Sequence, residues 1–328
     1  MTTTSRPPVS GPDSVSVIIP VKNGLPHFRD VCRELARQDY DAPFEVICID
    51  SGSTDGSDQL ALDHGFRLER IDPKTFGHGR TRNLGASLSQ ADYVAFITHD
   101  AIPANERWLS ELIAPMRRDE RVAGVFSRHI AHEKADPFIA WELEKHFDGL
   151  RAFPVVEITD RAEYDGNEGL RQIYHFYSDN ASAMPRRIWE LHPYPDVQFA
   201  EDQIWAKTIV EAGYRKAFAP DSVVRHSHSF GPFETLQRSF DESRAFRKLF
   251  GYRLAKGARG VLRSSAYLAK RDMGLAFRQG WWRRHPAKTL SRLAESFARP
   301  LGHYLGARDG LPDWLTRRLS RDDWIRSL

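Results

Sequence analysis

The sequence predicts an α/β protein: a Rossmann-like, mostly parallel sheet with flanking helices, extended at its C-terminus by further helices. Three observations carry this. Short β-branched runs alternate with stretches of helical periodicity from Val15 to about Phe126, the pattern of a sheet built by β-α-β crossovers. Several of these runs end in a polar loop, where ligands meet such sheets. Charge is also divided along the chain: residues 1–250 hold 30 Lys/Arg against 38 Asp/Glu, whereas residues 251–328 hold 17 against 6, so the two parts face different surroundings.

The elements follow in order. Residues 1–13 contain three Thr, two Ser and three Pro and no apolar block, which predicts a loose tail rather than a strand or a leader peptide. Val15–Val21 is a buried strand closed by Lys22-Asn-Gly24, and Phe28, Val31, Cys32 and Leu35 recur at helical spacing. Strands are expected at Phe44–Asp50, Phe66–Ile71, Tyr93–Thr98 and near Val122–Phe126, with helices to about His64 and over Gly79–Ser89 and Asn105–Arg118. Beyond a helix at Pro137–Gly149, Arg151–Leu170 reads as a loop. Tyr174–Tyr177 and Pro185–Leu191 lead to a helix at Glu201–Ala212 and a strand near Ser222–Arg225. From Gly251 the pattern is of short basic helices interrupted by Pro286, Pro300 and Pro312. The organisation is therefore a tail (1–13), an α/β domain (14–250) and a basic amphipathic extension (251–328).

With 41% hydrophobic and 28% charged residues the chain is globular rather than disordered or fibrous. The two cysteines, Cys32 and Cys48, form no Cys-x-x-Cys motif, which suits a reducing cytoplasm without a structural disulfide. No uncharged apolar run approaches the ~18 residues of a membrane-spanning helix.

Five constellations carry chemistry. Asp100, in Thr98-His-Asp-Ala101, directly follows a buried strand; it is placed to hold a divalent cation such as Mg²⁺ or Mn²⁺, or to cap a turn. Asp50-Ser51-Gly-Ser-Thr-Asp-Gly56 offers a carboxylate to a nucleobase or ribose, or again a cap. In Phe76-Gly-His-Gly-Arg-Thr-Arg-Asn-Leu-Gly85, Arg80 and Arg82 suit phosphate at a helix start or a solvated basic face, and their spacing lets at most one point at a ligand. Glu201 and Asp202 open a helix, as general base and partner or as dipole-favoured acids. His226-Ser-His228 leaves a strand as metal or phosphate ligands.

In this order the pieces resemble the family 2 glycosyltransferases of the GT-A fold, over about Val15 to His228: a Pro-containing first strand, Asp-x-Gly-Ser, Arg-Asn-x-Gly, the acidic strand-end motif and a Glu-Asp pair. Asp50-Ser-Gly-Ser53, Phe76-Gly-His-Gly79 and Thr98-His-Asp-Ala101 look like the bacterial rhamnosyltransferases of that family, with His99 where Gln is usual. The resemblance implies an inverting transfer from a nucleoside-diphosphate sugar to a glycan or lipid-linked acceptor in cell-surface polysaccharide synthesis. Pro20, Asp50, Ser51, Arg82, His99 and Asp100 would then contact the donor, with a metal held by Asp100 and completed by His226 or His228. Asp202 would be the base, Glu201 its runner-up, and Asn180 an acceptor contact. The rival readings are a noncatalytic nucleotide-sugar scaffold, a transferase for a hexose or N-acetylhexosamine, and a metal-dependent nucleotidyl or hydrolytic enzyme.

In the extension, Tyr267, Phe277, Trp281, Trp282, Phe297, Tyr304, Trp314 and Trp324 are interleaved with Arg and Lys. This suits an anionic membrane surface, such as the inner face of the plasma membrane, or a helical cap or oligomer contact. Nucleic acid is excluded as a partner, because the acidic larger part would repel it.

Overall fold

The computed structural model describes residues 8–197, 199–255 and 257–321. The first seven residues of the expected tail, and Trp324, lie outside the described residues. From Val9 onward the tail is held: the Val9 amide donates to Glu45 Oε1 (3.4 Å) and the Asp13 amide to Asp92 Oδ2 (3.0 Å).

The strands are β1 (Val15–Val21), β2 (Phe44–Asp50), β3 (Arg67–Arg70), β4 (Tyr93–Ile97), β5 (Ile102–Pro103), β6 (Val122–Ile130), β7 (Val155–Val156), β8 (Ala181–Pro185) and β9 (Arg215–Arg225). The helices of the α/β part are α1 (His27–Leu35), α2 (Ser57–Asp63), α3 (His78–Ser87), α4 (Trp108–Arg118), α5 (Pro137–Leu150), α6 (Arg161–Gly166), α7 (Glu168–His175), α8 (Arg186–Leu191) and α9 (Glu201–Glu211). Then follow α10 (Pro232–Phe250), α11 (Ala258–Arg278), α12 (Trp281–Arg284), α13 (Pro286–Gly306) and α14 (Asp313–Leu319).

The strands form one sheet in the order β3-β2-β1-β4-β8-β6-β9-β5, with β7 also on β9. Pairings among β1 to β4 are parallel, as the crossovers require, and β6 is parallel to β9. Between these parallel parts β8 runs antiparallel to both β4 and β6. Consequently β1, β2, β4, β6 and β9 all end on one edge of the sheet, and β8 starts there. Alternation along each strand loads both faces. Val15, Val17 and Ile19 join Phe28, Trp108 and Leu112 on one side, while Ile18, Ile47 and Phe96 join Trp205 and Ile209 on the other. Both cysteines are buried and free, and burial pushes the Cys32 thiol up to about 12.

The segment expected to be a loop, Arg151–Leu170, instead contains β7, α6 and the start of α7. Asp160 and Asn167 cap the two helices by accepting from the amides of Glu163 and Leu170, each over 3.0 Å. Two helices of the extension are also not short, since α11 and α13 have 21 residues each. Pro300 lies inside α13 without ending it.

The chain divides into two compact units, the first reaching Glu133 and resuming over Ala140–Ser227, the second made of Lys134–Ile139 and the chain from His228. The sequence reading places the boundary at residue 251. The observed second unit includes α10 because α10 packs along α13: a Cβ on Gly306 would lie 2.2 Å from the Phe240 carbonyl oxygen, so only glycine permits this approach. Inside this unit Arg292, almost wholly buried, pairs with Asp272 over 2.7 Å and with Glu295 over 3.3 Å.

Candidate active site

The sheet edge where the strands end gathers the sequence candidates of the first unit. Pro20 lies in β1 opposite Ile49 of β2. Asp50 ends β2 almost fully buried, and its carboxylate accepts the amides of Gly52 (3.1 Å) and Ser53 (3.2 Å), which folds the following loop back over the strand. Ser51 is tied to the Val21 carbonyl through its amide and its hydroxyl. The loops after β1 and β2 are joined by the Asn23 amide to Ser53 Oγ (3.0 Å) and the Thr54 amide to Asn23 Oδ1 (2.8 Å). His99 packs against the Gly24 turn.

After β4, the Thr98 amide bonds the Asn180 carbonyl (3.2 Å), and the Ala101 amide bonds the Thr98 carbonyl (3.1 Å). This turn presents Asp100. His226, leaving β9, places Nε2 3.7 Å from Asp100 Oδ1. His228, two residues further on, is exposed and begins the second unit. A carboxylate beside an imidazole suits Mn²⁺ better than the oxygen-preferring Mg²⁺. Beside them the Thr98 hydroxyl oxygen is buried with no hydrogen-bond partner, and so is Nε2 of His129. His129 stands edge-to-face with His226 at 5.4 Å and is stacked on Phe147. Burial, then the neighbouring His226 and His146, hold its pKa well below the usual imidazole value, so its ring is neutral.

The second cluster is built around Arg82. Helix α3 sits directly on β1, because Gly85 leaves room for Ile18, and this turns Arg82 inward while Arg80 pairs with Asp196 at the surface. Arg82 is 3% exposed. Its Nη1 donates to Glu201 Oε1 (2.8 Å), its Nη2 to the Asp179 carbonyl (3.3 Å), and its Nε lies 3.6 Å from Asp179 Oδ2. The guanidinium expected at the nucleotide is thus bonded to Glu201 and to the Asp179 carbonyl, and is almost wholly buried.

Asp179 also accepts from Ser182 Oγ and Tyr194 Oη, each over 2.7 Å, and its amide donates to Asp202 Oδ2 (3.4 Å). Ala200 precedes α9 in the left-handed region, φ 56°, a costly conformation for a residue with a Cβ. It launches α9 so that Glu201 turns into the protein against Arg82, while Asp202 remains partly open to solvent. Three carboxylates thus share one guanidinium. Burial, opposed by Arg82 and reinforced by Glu201, pushes Asp179 up to about 6. Burial, then Glu201 and Asp179, push Asp202 well above the usual carboxylate range.

Residues 16–189 match the family model described as glycosyl transferase family 2. The chain is 32% identical over 232 residues to the O-antigen chain rhamnosyltransferase WbaN of Salmonella anatum, covering 70% of each protein. The chain belongs to glycosyl transferase family 2. This glycosyltransferase is likewise 32% identical over 231 residues to the O-antigen chain rhamnosyltransferase RfbN of Salmonella typhimurium, covering 69% of the chain and 70% of that relative. Its fold is similar to that of the mannosyltransferase PcManGT from Pyrobaculum calidifontis, a structure in complex with GDP-Man and Mn²⁺. The TM-score is 0.54 and the identity 18%, over 88% of this chain and 86% of that one.

Sequence reasoning about the glycosyltransferase missed Asp179, Tyr194 and His129. Asp179 sits in Ser178-Asp-Asn180 beside the candidate Asn180, which is half-buried at the sheet edge, its carbonyl accepting from the Thr98 amide. His129 reads in sequence as one more polar residue of an alternating strand.

Proposed function

We propose that this glycosyltransferase moves rhamnose from a nucleoside-diphosphate donor to a hydroxyl of a cell-surface glycan acceptor, with inversion at the anomeric carbon. The observation that carries the reading is the division of labour between adjacent acids at the start of α9. Glu201 is 7% exposed and bonded to Arg82. Asp202 is only partly buried, and burial with Glu201 and Asp179 holds its carboxyl above the usual carboxylate range, which favours taking a proton. The choice of rhamnose rests on the two Salmonella relatives described as O-antigen chain rhamnosyltransferases.

In the reaction the acceptor oxygen attacks the anomeric carbon from the face opposite the diphosphate. The new C–O bond forms, the bond to the phosphate oxygen breaks with its electron pair leaving on the nucleoside diphosphate, and the hydroxyl proton passes to Asp202. Asp179 positions that base through its amide, and Arg82 keeps the cluster of acids from repelling itself apart. Asp50 and Ser51, with Pro20 and His99, would border the donor at the strand ends, and Asn180 the acceptor. Asp100 and His226, with His228 as the further sequence candidate, would hold a divalent cation, and the unpartnered Thr98 hydroxyl is a further oxygen for its surroundings. When bound, such a cation neutralises charge on the departing diphosphate.

The test is turnover with nucleoside-diphosphate rhamnose, hexose and N-acetylhexosamine donors in parallel, read as nucleoside diphosphate released and as the product's mass and anomeric configuration. Rhamnosyl product of inverted configuration is expected. Product from another sugar alone, or retained configuration, contradicts the reading.

A further inference from the structure

Of the large apolar side chains exposed among the described residues, nine of eleven belong to the second unit. Three of them mark the tip of the hairpin made by α11, α12 and α13: Phe277 is 62% exposed, Trp282 39% and Leu290 70%. The tip is a built surface rather than a frayed end. Trp281 packs edge-to-face on Phe138 at 5.0 Å, anchoring α12 from beneath, while Phe277 and Trp282 lie against each other at 5.6 Å on the outside. The Arg283 guanidinium lies over the Trp282 ring at 4.6 Å.

Charge singles out this tip. No acidic residue occurs between Asp272 and Glu295, and those two are turned inward onto Arg292. Arg278, Arg283 and Arg284 are exposed around the apolar side chains. We propose that this hairpin tip docks onto an anionic lipid bilayer, with Phe277, Trp282 and Leu290 in the interfacial layer and the three arginines on the lipid phosphates.

Three considerations favour lipid over other occupants. Aromatic and aliphatic side chains ringed by arginine match the interface between headgroups and acyl chains, where rings and guanidinium groups are both accommodated. A second copy of the chain would bring one cationic tip against another, a repulsion only partly relieved by Asp136, which lies 3.9 Å from Lys288. A nucleic acid would satisfy the arginines but leave Leu290 and Phe277 unused. No described helix is long and apolar enough to cross a membrane, so the attachment is to the surface of the bilayer.

The test is co-sedimentation of the full-length protein with vesicles of phosphatidylcholine alone and of phosphatidylcholine with phosphatidylglycerol. Binding is expected to the anionic vesicles only, and to decline with added salt. Phe277→Ser with Trp282→Ser, and separately Arg283→Glu with Arg284→Glu, are expected to weaken it by about tenfold or more each. Their thermal midpoints should stay near that of the parent, since these side chains are exposed. Wild-type protein that stays in the supernatant with anionic vesicles overturns the proposal, and so do folded variants of both kinds that sediment as the parent does. A dimer in sedimentation velocity that Trp282→Ser dissociates, without vesicle binding, assigns the tip to a second copy instead.

Discussion

The Arg82 guanidinium donates to the Glu201 carboxylate over 2.8 Å, across 119 residues of sequence, with both side chains almost entirely buried. This bond ties the start of α9 to α3 and leaves Asp202 less deeply buried than Glu201. Removing the cation strands Glu201 and Asp179 together in a place that water barely reaches. Arg82→Met is therefore expected to destabilise the protein by about 3–5 kcal/mol, the cost of leaving one partner of a buried pair uncompensated. Chemical denaturation of the variant beside the parent measures this.

The acidic cluster should be visible in the pH dependence of stability. Asp179 in the folded protein is pushed up to about 6, above its unfolded value of about 3.9. The folded state then binds more protons than the unfolded state between these values, so this group's contribution is complete below the lower value and is lost as pH rises through the upper one. Relative to Asp179→Asn, the parent is expected to lose thermal midpoint across that window. A midpoint difference that stays flat with pH would place the titration elsewhere.

Much of the sheet edge that gathers the candidate residues was legible in the sequence because it depends on local signals. A β-branched run followed at once by Asp50 or by Thr98-His-Asp100 announces both the strand and what its end presents. Strand β8 escaped because Ala181-Ser-Ala-Met-Pro185 is short, small and poor in β-branched residues; it is a strand only because β4 and β6 pair on either side of it. The contact between Asp179 and Arg82 escaped for a related reason: Arg82 meets partners 97 and 119 residues away, and no local pattern encodes that meeting. By contrast α6 was there to be read, since Asp160-Arg-Ala-Glu163 has the spacing of an N-terminal capping box.

The cation site gives a third prediction. Chelator is expected to suppress turnover, Mn²⁺ to restore it, and Asp100→Ala or His226→Ala to weaken Mn²⁺ binding measured by calorimetry. Full activity in excess chelator would remove the metal from the account.

The contact between α10 and α13 gives a fourth. Gly306→Ala forces a Cβ into the Phe240 carbonyl, and a cost of about 1–3 kcal/mol is expected from overpacking. The thermal midpoint reports it, and an unchanged midpoint would mean that the helices separate freely.

The central claim is that Asp202 takes the acceptor's proton. Its most direct test is Asp202→Asn, assayed both for glycosyl product by mass spectrometry and for donor binding by calorimetry. Product formation is expected to fall by about 10²-fold or more, with the donor dissociation constant nearly unchanged. Turnover close to that of the parent would contradict it.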